Sequence, residues 1–548
     1  MVKNLLNHSS KTVFSAAVIL AVTALTSRVL GLFRDRLLAG KFGAGDALDA
    51  YFAAFRLPDL IYCILVTGAI SSAFIPVFAQ YWQKDRKEAW HLTSGVFNLI
   101  SLILVGLALL FVFLAPWLIS VIAPGFTGEK RELTVALTRI MFLSPIFLGM
   151  SSVLGGVLQY FHRFFVYSLA PIFYNLGIIF GIIFLVPSFG LKGLAWGVVL
   201  GAFLHFLIQL PSAVYSGFHW QKTFTIFHEG IRKIIKLTIP RTIGLIGTQI
   251  NFWVITAIGS TLASGSIAVF NFSNNLQYVP IGIIGISFAT ATFPVLAKSV
   301  AEKDKENFSR GFFSTFNQVL FWVLPISVIF FLLRAQIVRV VLGTGQFGWA
   351  DTRLTAAALG IFSLSVFAQS LIPLLSRAFY SFHDTKTPVL ISIFSVILNI
   401  VFSFIFVRLL TGENLFSSFV SQSLKLEGLK DFSVLGLAIA FSLASILNFF
   451  LLIRKFSRKV DFWKRKAILD SLVKMILSCI LMAIVIYVLL YFFAAIVNTR
   501  TFVGIFIQAC GAAGGGIIVY FLTALILKSI EAQTLIRKIF KNESRKNS

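Results

Sequence analysis

The chain has 548 residues, 58% of them hydrophobic and 12% charged, with a mean hydropathy of +0.90. A soluble protein carries about 25% charged residues, so composition excludes a soluble enzyme or binding module and leaves a polytopic membrane protein. The net charge of +26 comes from basic residues scattered among short loops between apolar runs, which sets nucleic-acid binding aside in favour of the positive-inside rule and contact with anionic lipid.

The basic start, Met1 to Lys11, leads into a long helix without an A-x-A-type site, so no cleaved signal peptide is expected. Hydropathy predicts fourteen spans, near 13–41, 51–82, 91–123, 133–160, 166–187, 192–216, 235–261, 266–297, 310–341, 353–381, 387–410, 433–453, 467–494 and 501–528. Runs such as Phe97 to Ala123 exceed the ~20 apolar residues that cross a ~30 Å hydrocarbon core. An even number of spans puts both termini on one side. Lys and Arg concentrate in the loops of that side, most densely in Arg454 to Lys466 and the tail Lys541 to Asn547, so both termini are expected in the cytoplasm. Phe218 to Lys236 reads as an amphipathic helix on that surface, linking two halves. Thr411 to Phe432 is the longest external loop and shows no chemistry. Cys63, Cys479 and Cys510 fall inside apolar spans without metal spacing and read as small buried apolar residues.

Overlaying the halves reveals an internal repeat. Arg28-x-x-Gly31 recurs as Arg241-x-x-Gly244, Ser71 to Gln80 as Thr290 to Lys298, and Gly193 to Phe206 as Gly436 to Phe449, at offsets of 213 to 243 residues. Six spans separate the copies, so each keeps its direction in the membrane. The expected fold is all-α: two six-helix lobes related by a pseudo-two-fold axis along the membrane normal, plus two C-terminal helices. The expected division is 1–217 for the first lobe, 218–234 for the linker, 235–456 for the second lobe, 467–530 for the extra helices and 531–548 for a basic tail. Two such lobes suit alternating access to a site between them.

The chemistry concentrates in Ser27 to Asp59, which holds Arg28, Arg34, Asp35, Arg36, Asp49, Arg56 and Asp59. A charge at membrane depth costs roughly 2.5–3.5 kcal/mol on insertion scales, so such residues face a wet cavity or each other. Arg28 and Asp35 are two helical turns apart, with Gly31 between them on nearly the same face. Arg34 and Asp35 are placed to form an ion pair. A planar guanidinium bonds two phosphate oxygens at once and stays charged, so one reading is a diphosphate clamp at Arg28 and Arg34 with Asp35 holding its geometry. The other is an ion-pair network locking two helices, with Arg36 snorkelling to the interface. Asp49 reads either as a cavity carboxylate or as a first-turn carboxylate favoured by the helix dipole. Pro58, beside Arg56 and Leu57, is expected to kink the second span and free a carbonyl near the polar patch. In the seventh and eighth spans Arg241, Gln249, Asn251, Asn271, Asn274, Asn275 and Gln277 make a polar face that either binds sugar and peptide parts or joins helices. Arg139 reads as structural or interfacial. His162, His205 and His383 are isolated, and no HExxH, GxSxG or P-loop occurs. No cofactor is expected. Without a P-loop, energy comes from the membrane potential, an ion gradient or substrate consumption on the far side.

Ser27 to Asp35, Phe42 to Asp59 and Ala73 to Tyr81 resemble the opening signature of the MurJ (MviN) family of the multidrug/oligosaccharidyl-lipid/polysaccharide exporter superfamily. Val279 to Lys298 is similar to that family's eighth helix and Ser376 to Pro388 to its tenth-to-eleventh junction. The resemblance implies a flippase, not an enzyme, moving lipid II, an undecaprenyl-diphosphate-linked disaccharide-pentapeptide, to the outer leaflet of the bacterial cytoplasmic membrane for peptidoglycan synthesis. It carries Arg28, Arg34, Asp35 and Asp49 over as cavity residues and gives helices 13 and 14 a groove for the prenyl tail. The implied partners are lipid II, membrane lipids and other cell-wall synthesis proteins. Many members have an Arg pair where this chain has Tyr62 and Cys63, and charged residues where it has Asn274, Asn275 and Tyr278. The cavity is therefore less cationic, with Arg56 and Arg241 placed to compensate. Two alternatives stay open: export of another prenyl-diphosphate-linked oligosaccharide, and a transport-inactive scaffold. A cation or drug antiporter would need buried carboxylates, whereas this polar core is rich in Arg and amides.

Overall fold

The computed structural model describes residues 13–67, 73–223, 228–460, 466–534 and 537; the side chains of 13–17, 65–67, 239–245, 248 and 466–468 lie outside that description. All regular secondary structure among the described residues is helical. Among the described residues, ten helices are long and apolar enough to cross a membrane. The pair Trp349–Ser363 and Val366–Ser381, bent by 46°, makes an eleventh if read as one span. The sequence count of fourteen is three higher. The three expected spans without a counterpart, 13–41, 51–82 and 235–261, each include residues whose side chains are not described.

The chain divides into two compact units, Met1–Ala268 and Val269–Ser548. In the first, the 37-residue helix Arg86–Ile122 runs for ~55 Å at 1.5 Å per residue. Asp85 starts it by accepting a hydrogen bond from the Lys87 amide. Its middle is exposed and apolar at Leu109, Phe113 and Trp117, as a lipid-facing surface requires. Elsewhere small residues let backbones meet. A Cβ at Gly177 would collide with Gly201, and one at Gly181 with Gly197, so the stretches 164–185 and 192–207 touch main chain to main chain, the close approach on which helix association in lipid depends. Phe74, Phe78, Trp82, Trp90, Tyr160 and Phe161 form an aromatic cluster at one end.

The second unit has its own core, centred on Phe308, Phe312, Phe379 and Phe456. The C-terminal pair Lys466–Ile496 and Phe502–Ile526 packs as a hairpin, with Gly511 and Gly516 leaving room for Phe493 and Ile486. Tyr520 anchors it by donating to the Phe321 carbonyl at 2.8 Å.

The internal repeat has a local structural counterpart in each unit. Gly193 lies against the backbone of Leu185 and Val186, and Gly436 against that of Phe406 and Val407. Each unit also has a proline followed by a π-helical turn: Pro58 before Tyr62–Thr67, and Pro280 before Ile281–Ile286. Proline removes an amide donor and crowds the preceding turn, and widened turns of this kind recur at functional sites in helices. Residues 71 and 72 of the repeat Ser71 to Gln80 lie outside the described set, as does the Arg241 side chain.

Two expectations take a different form. Residues 218–223 are not helical. Asn98 straps them down, donating to the carbonyls of Gln221 and Thr223 at 2.8 and 2.9 Å and accepting from the Trp220 indole at 2.8 Å. The remainder of the expected linker, from Glu229, is the first part of one continuous helix to Ser260. His228 caps that helix: its Nδ1 accepts from the Gly230 amide and its Nε2 meets Glu88 at 2.7 Å. The loop Thr411 to Phe432, in which the sequence shows no chemistry, contains the helix Leu415–Leu424.

Candidate functional site

The opening helix Val13–Phe42 carries the first half of the polar cluster. Arg34 and Asp35 form the expected ion pair at 2.8 Å; Asp35 is only 3% exposed. The guanidinium is shared. Its Nε and one terminal nitrogen donate to Asp35 Oδ1, and the other terminal nitrogen donates to Asn175 Oδ1 at 3.2 Å. Asn175, a lone amide in the apolar helix Phe164–Phe180, donates to Ser27 Oγ at 3.3 Å and to the Pro171 carbonyl at 3.0 Å. This fixes the Arg34 fork from two sides, by Asp35 and by an Asn175 that is itself held in place. Gly31 faces the same amide; a Cβ there would meet Asn175 Oδ1 at 3.9 Å, ordinary contact, so the glycine leaves space beside the amide rather than permitting a backbone crossing. Arg28 and Arg36 are half-buried on this helix.

The second helix, Asp46–Ile61, supplies the other half. Tyr51 is buried within electrostatic reach of Arg34, and Asp59 lies within reach of both Arg56 and Arg34. Arg56 is buried; its Nε donates to Thr256 Oγ1 at 2.8 Å and its guanidinium lies over the Phe252 ring at 5.3 Å. The Arg56 carbonyl accepts from the Trp253 indole at 3.2 Å. Pro58 does not end the helix, which runs to Ile61 and then widens through Tyr62 and Cys63. Those two neutral residues therefore sit on the widened turn. Gln249 lies within hydrogen-bond reach of the Cys63 thiol.

Asp49 is 1% exposed and has a different environment from Asp35. Its Oδ2 accepts from the Gly265 amide at 2.8 Å and from Lys130 Nζ at 3.0 Å; its Oδ1 accepts from the Ala268 amide at 3.0 Å. Lys130 also reaches Asp46 at 2.6 Å. Asp49 thus caps the start of a helix other than its own, the one opening at Ser266. Gly265 is at φ +87, and a Cβ there would strike the Ala44 carbonyl, so only glycine brings these amides to the carboxylate.

Asn251 is buried on the helix Glu229–Ser260. In the second unit, Asn271 is buried, Asn274 and Asn275 are half-buried and Tyr278 is exposed. Gln277 donates to Asn274 Oδ1 at 3.0 Å, and Gln369 donates to Gln277 Oε1 at 3.0 Å and to Ser365 Oγ at 2.9 Å, where the bent pair breaks. Here the amides join helices within the unit. Arg139 donates to the Val112 carbonyl at 3.1 Å, an interhelical tie. His205, isolated in sequence, meets Ser151 Oγ at 2.7 Å beside Gln209. Among the described residues no group of three His, Cys, Asp or Glu is placed to hold a metal ion.

The first unit thus gathers Arg34, Asp35, Arg56 and Asp59 into one electrostatically linked patch, with Asp35 and Arg56 buried and Arg34 and Asp59 half-buried, while Asp49 belongs to a separate knot with Lys130. Asn175, Thr256, Trp253 and Lys130 are partners that sequence reasoning missed. For Asn175 the signal was available: one amide in a seventeen-residue helix that is otherwise almost wholly apolar. Lys130 gave none, since it reads as an ordinary first-turn residue of the helix Gly128–Met141.

Residues 38–415 and 411–507 match the family described as lipid II flippase MurJ. The chain belongs to that family. A probable lipid II flippase MurJ of Buchnera aphidicola from Acyrthosiphon pisum is 30% identical over 542 residues, 95% of this chain and 98% of the relative. The lipid II flippase MurJ of Burkholderia cenocepacia is 27% identical over 406 residues, 72% of this chain and 79% of that one. The solved structure of lipid II flippase MurJ in an inward closed conformation superposes with a TM-score of 0.74 at 26% identity, covering 95% of this chain and all of that one. An inward-facing multidrug resistance MATE family transporter of the MOP superfamily shares the fold, with a TM-score of 0.63 at 17% identity over 81% of this chain. MurJ membership makes the chain a multi-pass membrane transporter rather than an enzyme.

Proposed function

We propose that this chain carries lipid II from the cytoplasmic to the outer leaflet of the bacterial cytoplasmic membrane by alternating access. The observation that carries the reading is the MurJ match, which runs from residue 38 to 507 and so takes in the second helix and most of the C-terminal hairpin. In this reading the polar patch recognises the head group. Arg34, held by Asp35 and Asn175, presents a guanidinium whose fork is already oriented, so binding a diphosphate immobilises little further. Arg28 on the same helix and Arg56 on the next supply further positive charge, Arg241 a fourth candidate. Asn251, Asn274 and Asn275 contribute amides for the sugar and peptide. Asp49 acts on the state of the protein by holding the 265–268 turn. The prenyl tail follows the hairpin of residues 466–526, whose surface exposes Ile480, Ile484, Val488, Phe506 and Ile518. The basic loops support a cytoplasmic position for both termini, and in this reading energy comes from the membrane potential or an ion gradient.

The test is complementation of a bacterium depleted of its own lipid II flippase, with outer-leaflet lipid II assayed directly. Growth with restored outward lipid II is expected. Inserted protein without restoration overturns the reading and turns attention to Tyr62 and Cys63, whose neutrality favours a different prenyl-diphosphate-linked oligosaccharide.

A further inference from the structure

The segment between the spanning helices Lys386–Thr411 and Leu435–Phe456 contains a ten-residue helix, Leu415–Leu424, with the sequence LFSSFVSQSL and no charge. It is built, not incidental. Asn414 caps it by accepting from the Ser417 amide at 2.9 Å, and the same side chain donates back to the Leu409 carbonyl at 2.6 Å. Lys425, at φ +58, ends it. Arg353 pins the chain just beyond the helix, donating to the carbonyls of Lys425 and Glu427. One face turns inward, burying Ser417 and Val420. The other presents Leu415, 91% exposed, and Phe419, 66% exposed, one turn apart.

Depth identifies what this face meets. The Phe416 ring lies 5.9 Å from that of Phe406. Phe406 is one residue inside the end of the apolar run Val389–Val407, before Arg408. The short helix therefore folds back to the level at which the spanning helix leaves the hydrocarbon. That spanning helix exposes Val401, Phe404 and Ile405 to its surroundings, and the short helix exposes Leu415 and Phe419 near its end. Ten residues are too few to cross a bilayer, while an uncharged helix that exposes Leu415 and Phe419 beside the neutral polar Ser418 and Gln422 has the mixed apolar and polar surface of an interfacial position.

We propose that Leu415–Leu424 is an interfacial anchor whose Leu415 and Phe419 insert at the headgroup–acyl boundary of the bilayer, the outer leaflet given the orientation proposed above. The occupant is phospholipid, not another protein. The anchor fixes the depth of the connection between two spanning helices.

The test attaches a nitroxide to the full-length protein at Leu415→Cys, Phe419→Cys and Glu427→Cys, with Cys63, Cys479 and Cys510 replaced by Ala, in phosphatidylethanolamine/phosphatidylglycerol liposomes. Collision with oxygen, which enters lipid, is compared with collision with a nickel chelate, which stays in water. At 415 and 419 oxygen should exceed nickel several-fold, with the reverse at 427. Nickel collision at 415 and 419 equal to that at 427 overturns the proposal in favour of solvent. Shielding from both reagents overturns it in favour of a protein neighbour, a second copy included. If the cysteine-free background fails to fold, the same sites are read as differences against the labelled parent. Transport is not needed for the readout, so the result stands apart from the substrate.

Discussion

The carboxylate of Asp49 holds the amide of Gly265, 216 residues further along the chain, at 2.8 Å. One buried side chain thereby ties the second helix to the turn at 265–268, with Lys130 as its counter-charge.

Asp49→Ala should leave the Gly265 and Ala268 amides without an acceptor, while Lys130 keeps its bond to Asp46. Each buried amide left unsatisfied costs about 1–3 kcal/mol. Lys130→Ala should cost less, about 1–3 kcal/mol, because both amides keep the carboxylate. Thermal unfolding of the purified variants in detergent checks the order, which a merely solvated Asp49 would not produce.

Gly265→Ala should be worse tolerated than its small size suggests. A side chain at this φ costs about 1–3 kcal/mol, and the added Cβ meets the Ala44 carbonyl. The yield of folded, monodisperse protein should fall sharply, and Asp49 should not rescue it.

Arg34 separates charge from shape. Arg34→Lys retains the charge but replaces the fork that contacts Asp35 and Asn175 with a single point donor. Losing charge-assisted bonds of about 1.5–3 kcal/mol predicts outward lipid II transport lowered about tenfold or more. Arg34→Ala should abolish complementation while insertion persists. Asn175→Leu, which frees one side of the fork, should fall between wild type and Arg34→Lys.

Asp384 carries a pH-dependent contribution to stability in the second unit. Burial raises its carboxyl, but hydrogen bonds from Lys459 at 2.8 Å and from the Thr387 amide and hydroxyl outweigh that and hold it below the usual range. A depressed folded value stabilises the protein above the unfolded pKa of about 3.9, and this stabilisation disappears as pH falls through the folded value. Lys459 is 36% exposed, so screening limits the effect to about 1 kcal/mol or less. The melting-temperature gap between wild type and Asp384→Asn should be open at pH 7 and narrow progressively as pH falls below about 3.9. A gap unchanged by pH would remove the charge from the explanation.

The membrane class, the all-helical fold and most span boundaries follow from hydropathy, because the cost of placing backbone and charge in hydrocarbon is set locally, residue by residue. The Arg34–Asp35 pair is equally legible, since adjacent residues on one helix need no tertiary information to meet. The linker is not, because the pattern of 218–236 does not reveal that Asn98, more than a hundred residues earlier, claims its carbonyls. The helix at 415–424 escapes a sequence reading because ten uncharged residues are too short to signal a span and carry no motif.

By itself the sequence determined that this chain crosses a membrane many times, that it repeats itself, and that its buried charge gathers near the start. Only the tertiary structure decided what each charge is for. Arg34 and Asp35 became a fork steadied by Asn175, whereas Asp49, fourteen residues later, became the cap of a distant helix. The physical reason is that a buried charge takes its role from the donors and acceptors that satisfy it, and those partners lie as far along the chain as Thr256 and Gly265.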